Sequence, residues 1–407
     1  MIRKLIFSKP TLASRAAYTQ LASTLLQVYP TSCPTLLFKD DSSLKRDSKP
    51  FSFLFINLLL IDLRSSFPSL LSKLNSSDYP SVSLRLAAAL DIISSFIGFL
   101  LRSLDNELDS VSFSMPPDLL LRLRKDIAET MSLTIEYLRD RWDASVAGAS
   151  GLHPSARAGT SATSEGTRLT LTWESMTDSV NTDPLILAGI RTLAIWIRED
   201  ENENLRNESA GLMDMLVELY KTSSPPALDF RYPILLALEG IMSTDDGVEG
   251  FLGQDGWRIV AQDLEAILRN IGNNQNMDGL SQASEASRGL EIVRILLTVL
   301  DHHSTSSRSE DWMTAITSAS SMKVPSDSPP PKVLEFQIAM LQLSAALLSE
   351  APVSMQKRYA SSSTALSGIL SQLKVLVNGI SNKTESRELL ELLEDVALDL
   401  GNLRVSG

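Results

Sequence analysis

Cysteine is almost missing from this chain. Cys33 is the one thiol in 407 residues, so no intramolecular disulfide framework and no multi-thiolate metal site can form, which suits a reducing compartment. Three histidines leave little material for acid–base or metal chemistry. Basic residues are the minority, 37 Lys and Arg against 49 Asp and Glu, and the net charge of −12 is broken by no basic block; a general nucleic-acid binder is excluded on that ground. Neither GxxxxGK followed by Ser or Thr nor GxSxG occurs, and the glycines of 250–256 (GFLGQDG) do not form a phosphate-binding pattern. The opening MIRKLIFSKP lacks the apolar stretch and small-residue cleavage site of a secretory signal. Two apolar runs imitate membrane spans. The first, 51–63, is too short and holds Asn57 and Asp62; the second, 84–104, carries Asp91 at its middle. Both read as buried core helices. Together these absences predict a cytoplasmic, noncatalytic protein with no cofactor, no metal and no integral membrane segment.

What is abundant is helical periodicity. Leu120, Leu123, Ile127, Met131, Ile135 and Leu138 fall on one stripe, as do Ile186, Ile190, Leu193 and Ile197. The same holds for Leu334, Ile338, Leu341, Ala345 and Leu348, and for Leu389, Leu393, Val396 and Leu400. Start signals agree: Asp183 before Pro184 reads as an N-cap with proline at the first helical position, and Pro330-Pro331 precedes another helix. Residues 184–197 and 204–220 read as a helical hairpin joined by an acidic turn. Strand signal is confined to 167–173 (TRLTLTW), which alternates as an extended segment does but has no evident partner.

Polar stretches rich in Ser, Gly, Ala and Pro separate the periodic segments. The longest has too little apolar surface to offset its ordering entropy, and it sets the expected organisation: a first helical part, 1–143; a flexible linker, 144–167; and a second helical part, 168–407. Helices of one to two dozen residues joined by turns, with 6% aromatics and no consensus repeat period, predict an all-α fold. These features permit a bundle or an α-solenoid, and the expected architecture is an armadillo-like or HEAT-like α-solenoid of irregular helical hairpins.

Few residues offer chemistry. Segment 274–285 (NQNMDGLSQASE) matches a calcium loop at Asn274, Asn276, Asp278, Gly279 and Glu285, yet Asn replaces the acidic first ligand and only two carboxylates remain, so it reads as a polar loop. His302 and His303 are adjacent and lack further ligands nearby. Cys33 beside Pro34 reads as packing. Asp214 and Glu218 share a helix face and are the best candidates for paired carboxylates in a cleft, the basis of an alternative, enzymatic reading. A third reading is a membrane-surface protein using 92–101. The acidic run 199–203 (EDENE) reads as a solvated turn, or as an edge that holds a basic partner.

The run 196–220 (WIREDENENLRNESAGLMDMLVELY) resembles the neurochondrin family's pattern of a tryptophan ending one helix, an acidic turn, and Leu-Arg-x-Glu opening a helix that ends in tyrosine. Trp196, Glu199, Asp200, Leu205, Arg206, Glu208 and Tyr220 hold those positions. FLFINLLLIDLRSSF, at 53–67, is similar to a leucine-rich block of the family through Asn57, Asp62 and Arg64, and 234–257 resembles the segment after the hairpin. The similarity covers about 51–300 in order and resembles the second half of the family's domain, which predicts a shortened or truncated member with an exposed apolar end. The resemblance implies an armadillo-like cytosolic scaffold without catalysis that binds protein partners of unknown identity in signalling. The ten numbered positions are then structural or interaction positions.

Overall fold

The protein is described by a computed structural model over residues 2–7, 11–40, 49–105, 115–152, 173–175, 180–223, 228–273, 278–302, 310–325, 329–380 and 382–405. Nearly all of these residues are helical, and contacts divide the chain into two compact units, Met1–Ile241 and Met242–Gly407.

In the first unit the helices are α1 (Ile2–Phe7), α2 (Leu12–Val28), α3 (Cys33–Phe38), α4 (Phe51–Leu70), α5 (Tyr79–Asp105), α6 (Pro117–Val146), α7 (Pro184–Glu199), α8 (Glu203–Ala210), α9 (Met213–Thr222) and α10 (Arg231–Ile241). They stack in two layers. One runs α2, α5, α7, α10, each packed on the next; the other runs α4, α6, α8. This is the arrangement of helical repeats, in which every amphipathic helix buries its stripe on a neighbour. The second unit repeats the plan with α11 (Asp245–Gly253), α12 (Gly256–Asn273), α13 (Gly279–His302), α14 (Thr314–Ser320), α15 (Pro331–Ser349), α16 (Val353–Arg358), α17 (Ala360–Asn378) and α18 (Lys383–Val405). Here α13, α15 and α18 form one layer and α12, α14 and α17 the other.

The stripes read from the sequence face inward. Leu123, Met131 and Leu138 of α6, all four positions of α7, and those of α15 and α18 are buried; Leu120 alone is half-buried. The Asp183 carboxylate caps α7 by accepting from the Leu185 N–H at 3.0 Å. It also accepts from Ser83 at 2.8 Å and from the Tyr79 hydroxyl, whose neighbour, the Tyr137 hydroxyl, lies 3.0 Å away. Burial holds both phenols well above their ordinary pKa, so they act as neutral donors; the nearby Asp183 charge adds to this and the buried Arg141 opposes it.

Several details depart from expectation. The second helix of the hairpin is broken into α8 and α9 at Gly211, whose N–H closes a tight turn on the Glu208 and Ser209 carbonyls. A Cβ at Gly211 would sit 3.2 Å from the Glu208 carbonyl oxygen. The expected linker opens inside α6, and its residues Ala149–Leu152 form β1, antiparallel to β2 at Trp173–Ser175. Gly151 at φ +112 lets this strand pass against Asn75, whose side-chain amide donates to the Leu152 carbonyl at 3.2 Å. Residues 153–172, most of the expected linker and of the alternating segment, lie outside the described residues.

Three helices are long and apolar enough to cross a membrane: Phe51–Lys73, Tyr79–Ser103 and Pro331–Ser349. The first run is therefore not too short. Phe67 and Leu70 carry its buried face past the serines that looked like an end, and the Ser65 and Ser69 hydroxyls bond back to carbonyls three residues earlier. Asp91, at the middle of α5, accepts from Arg191 at 2.8 Å and Gln27 at 2.7 Å. Burial raises its pKa against the pull of Arg191. Its ionisation therefore opposes folding at neutral pH, and that cost is relieved as pH falls through the raised value.

Candidate functional site: an apolar cleft with an acidic lip

The C-terminal ends of α5 and α7 and the N-terminal half of α6 enclose a cleft of about 370 Å³ in the first unit. That is the size range of pockets that hold a ligand. Its floor is apolar: Ile97, Leu100 and Leu101 from α5, Leu120, Leu123 and Ile127 from α6. Leu120 is half-buried because its stripe emerges into this opening rather than onto another helix. Trp196 of α7 forms a wall; it is 7% exposed, and its indole N–H is buried with no acceptor among the described residues.

The lip is acidic. Asp200 caps α7 with its N–H on the Trp196 carbonyl at 2.8 Å, which turns the chain and carries Glu199, Asp200 and Glu201 around the mouth. Asp200 is buried and ion-paired with Arg124 of α6 at 2.6 Å, a bond that closes one side of the opening. The hydrogen bond and charge of Asp200 hold the Arg124 pKa above its ordinary value. Glu199 lies 3.0 Å from Arg198. Glu201 and the neighbouring Glu203 are exposed, with no ion-pair partner among the described residues. The mouth therefore carries excess negative charge over an apolar floor.

Of the ten positions singled out in the sequence, the fold brings Trp196, Glu199 and Asp200 together here. The others tie helices to one another. Arg64 of α4 donates to Thr130 at 2.9 Å and pairs with Asp126 at 3.1 Å and Glu129 at 3.2 Å, all on α6. Asp62 pairs with Arg85 of α5. Arg206 donates to the Ile197 carbonyl at 3.2 Å, satisfying an end group of α7. Glu208 accepts from Ser132 of α6; Leu205 and Tyr220 are buried, and Asn57 is half-buried on α4. Sequence reasoning missed that α5 and α6 contribute here, because nothing local shows that 97–101, 120–127 and 196–201 meet.

The paired carboxylates of the enzymatic reading are drawn to separate partners. Asp214 accepts from Arg139 at 2.9 Å and from the Trp142 indole at 3.0 Å, while Glu218 pairs with Lys221 at 3.3 Å. In the calcium-like segment, Glu285 is engaged by Arg288 at 2.9 Å, Asp278 accepts from the Ser281 N–H at 3.3 Å, and 274–277 lie outside the described residues. His302 Nδ1 lies 3.4 Å from Asp245, and His303 lies outside the described residues. Cys33 opens α3 half-buried, and burial pushes its thiol pKa up. No group of three or more His, Cys, Asp or Glu is placed to hold a metal among the described residues. A second cavity, about 390 Å³ in the Met242–Gly407 unit, is lined mainly by polar groups such as Glu265, Arg269 and Lys323.

Two layers of stacked amphipathic helices in each unit define an all-α helical-repeat protein. The chain belongs to the neurochondrin family, whose model matches residues 1–395. That match extends well beyond the 51–300 stretch on which the resemblance rested, and it does not support the expectation of a C-terminal part or a truncated member. The chain is also 22% identical over 207 residues to an uncharacterized protein of the fission yeast Schizosaccharomyces pombe. The matched stretch is 51% of this chain and 32% of that relative, so the chain covers about a third of the relative's length. No solved structure matches.

Proposed function

We propose that the protein is a noncatalytic, cytoplasmic scaffold of the α-solenoid type whose work is to bind other proteins. The observation that carries this reading is the solvent-open cleft, where an apolar floor meets a lip of carboxylates. Family membership supports it, as does the engagement of Asp214 with α6 rather than with Glu218. Low histidine and cysteine content is in keeping with it.

The test is affinity purification of the tagged full-length chain from its native cytosol, followed by chemical cross-linking and identification of bound chains. The expected result is a stable partner recovered in near-stoichiometric amount. Recovery of the chain alone under cross-linking, or turnover of a small-molecule substrate by the purified chain, would overturn the reading.

A further inference from the structure

The cleft can be assigned an occupant by its chemistry. Its floor is built from aliphatic side chains on two helices, which suits branched apolar anchors spaced along one face of a helix. A cavity of about 370 Å³ has room for more than one such anchor but not for a whole helix, so the occupant seats a stripe of side chains and leaves its backbone at the mouth. There the charge is one-sided. Arg124 is engaged by Asp200 and Arg198 by Glu199, while Glu201 of the lip stands exposed without an ion-pair partner among the described residues. An acidic or neutral segment would be repelled or left unpaired at this lip, and an anionic lipid surface would meet the same repulsion.

We propose that the cleft between α5, α6 and α7 receives a cationic amphipathic segment of a partner protein, with its aliphatic anchors on Leu101, Leu120 and Trp196 and its Lys or Arg residues at Glu201. This rests on the scaffold reading above and names the class of partner for one site.

The test is fluorescence anisotropy of the full chain with a labelled helical peptide bearing leucines at i, i+3, i+4 and i+7 and Lys or Arg elsewhere. Its counterpart carries Glu in place of every Lys and Arg. The basic peptide should bind with an affinity that falls as salt rises, and the acidic one should not bind. Glu201→Lys, at an exposed position of the lip and with the same change of net charge as the control below, should weaken binding about 10-fold or more. Leu101→Asp with Leu120→Asp should abolish it. Glu394→Gln with Asp395→Asn, on the exposed face of α18, changes net charge without touching the cleft and should leave affinity within about twofold.

Absence of binding by the basic peptide would overturn the assignment. So would equal losses in the lip and α18 variants, which would mean attraction to overall charge alone. Binding of phosphatidylserine vesicles that the lip variant strengthens, with no peptide binding, would assign the cleft to a membrane instead. A partner recovered equally by wild type and by both cleft variants would leave the scaffold reading standing and remove this one.

Discussion

A single side chain, Asp183, joins two helices of the first unit. It caps α7, accepts from Ser83 within α5, and accepts from Tyr79 at the start of the same helix. Asp183→Ala removes the cap and leaves the Ser83 hydroxyl buried without this acceptor, while Tyr79 retains Tyr137. Loss of an N-cap costs about 1 kcal/mol, and an orphaned buried hydroxyl about 1–3 kcal/mol more, so the variant should lose roughly 2–4 kcal/mol of stability. Urea unfolding followed by circular dichroism measures it; an unchanged midpoint would show that the network contributes nothing net. Asp183 was legible in the sequence as a cap because capping is local. Its bonds to Ser83 and Tyr79 span 100 and 104 residues, and no periodicity announces them.

At the scale of helices, what was legible follows from the range of the forces involved. The stripes of α6, α7, α15 and α18 were readable because burial repeats every three to four residues, whatever the neighbour is. The break between α8 and α9 was missed because Leu205 and Leu212 keep the apolar spacing across it, while Gly211 alters the backbone alone. Strand β1 was missed because Ala149–Leu152 has neither β-branched nor aromatic residues; its pairing is fixed by β2 and Asn75. The cleft was half legible: Trp196, Glu199 and Asp200 lie close together in the sequence, whereas its floor is assembled from helices distant in the chain. Helix-to-helix distance was equally hidden. A Cβ at Gly289 of α13 would lie 2.4 Å from the buried Phe336 ring of α15, so glycine sets the closeness of these two layer neighbours. Gly289→Ala should therefore destabilise by about 1–3 kcal/mol although alanine is the better helix former. A thermal melt that rises instead would mean that the Phe336 ring yields at little cost.

At the scale of the whole molecule, helices that could cross a membrane by length and apolarity sit in a chain with net charge −12. What decides between packing and insertion is the fate of their charges. In the first unit Asp91 of α5 meets Arg191 of α7, Arg85 of α5 meets Asp62 of α4, and Arg64 of α4 meets Asp126 of α6. Moving α5 into lipid would strip Asp91 and Arg85 of these partners at a cost of about 2.5–3.5 kcal/mol for each charge near the bilayer centre. Moving α4 would do the same to Asp62 and Arg64. The third apolar helix, α15, has 72% of its span buried within its own unit, where its apolar face already has a protein partner. The ion pairs and the packing thus favour helix against helix. The expected outcome is that alkaline carbonate extraction of cell membranes releases the full chain to the supernatant, and that sedimentation with phosphatidylserine vesicles leaves it behind. Retention in the carbonate pellet would mean that α4 or α5 leaves its partners for lipid. Substituting Arg191→Met, which removes the Asp91 pair without shortening α5, should not move the chain into that pellet if packing of the remaining apolar face governs its location.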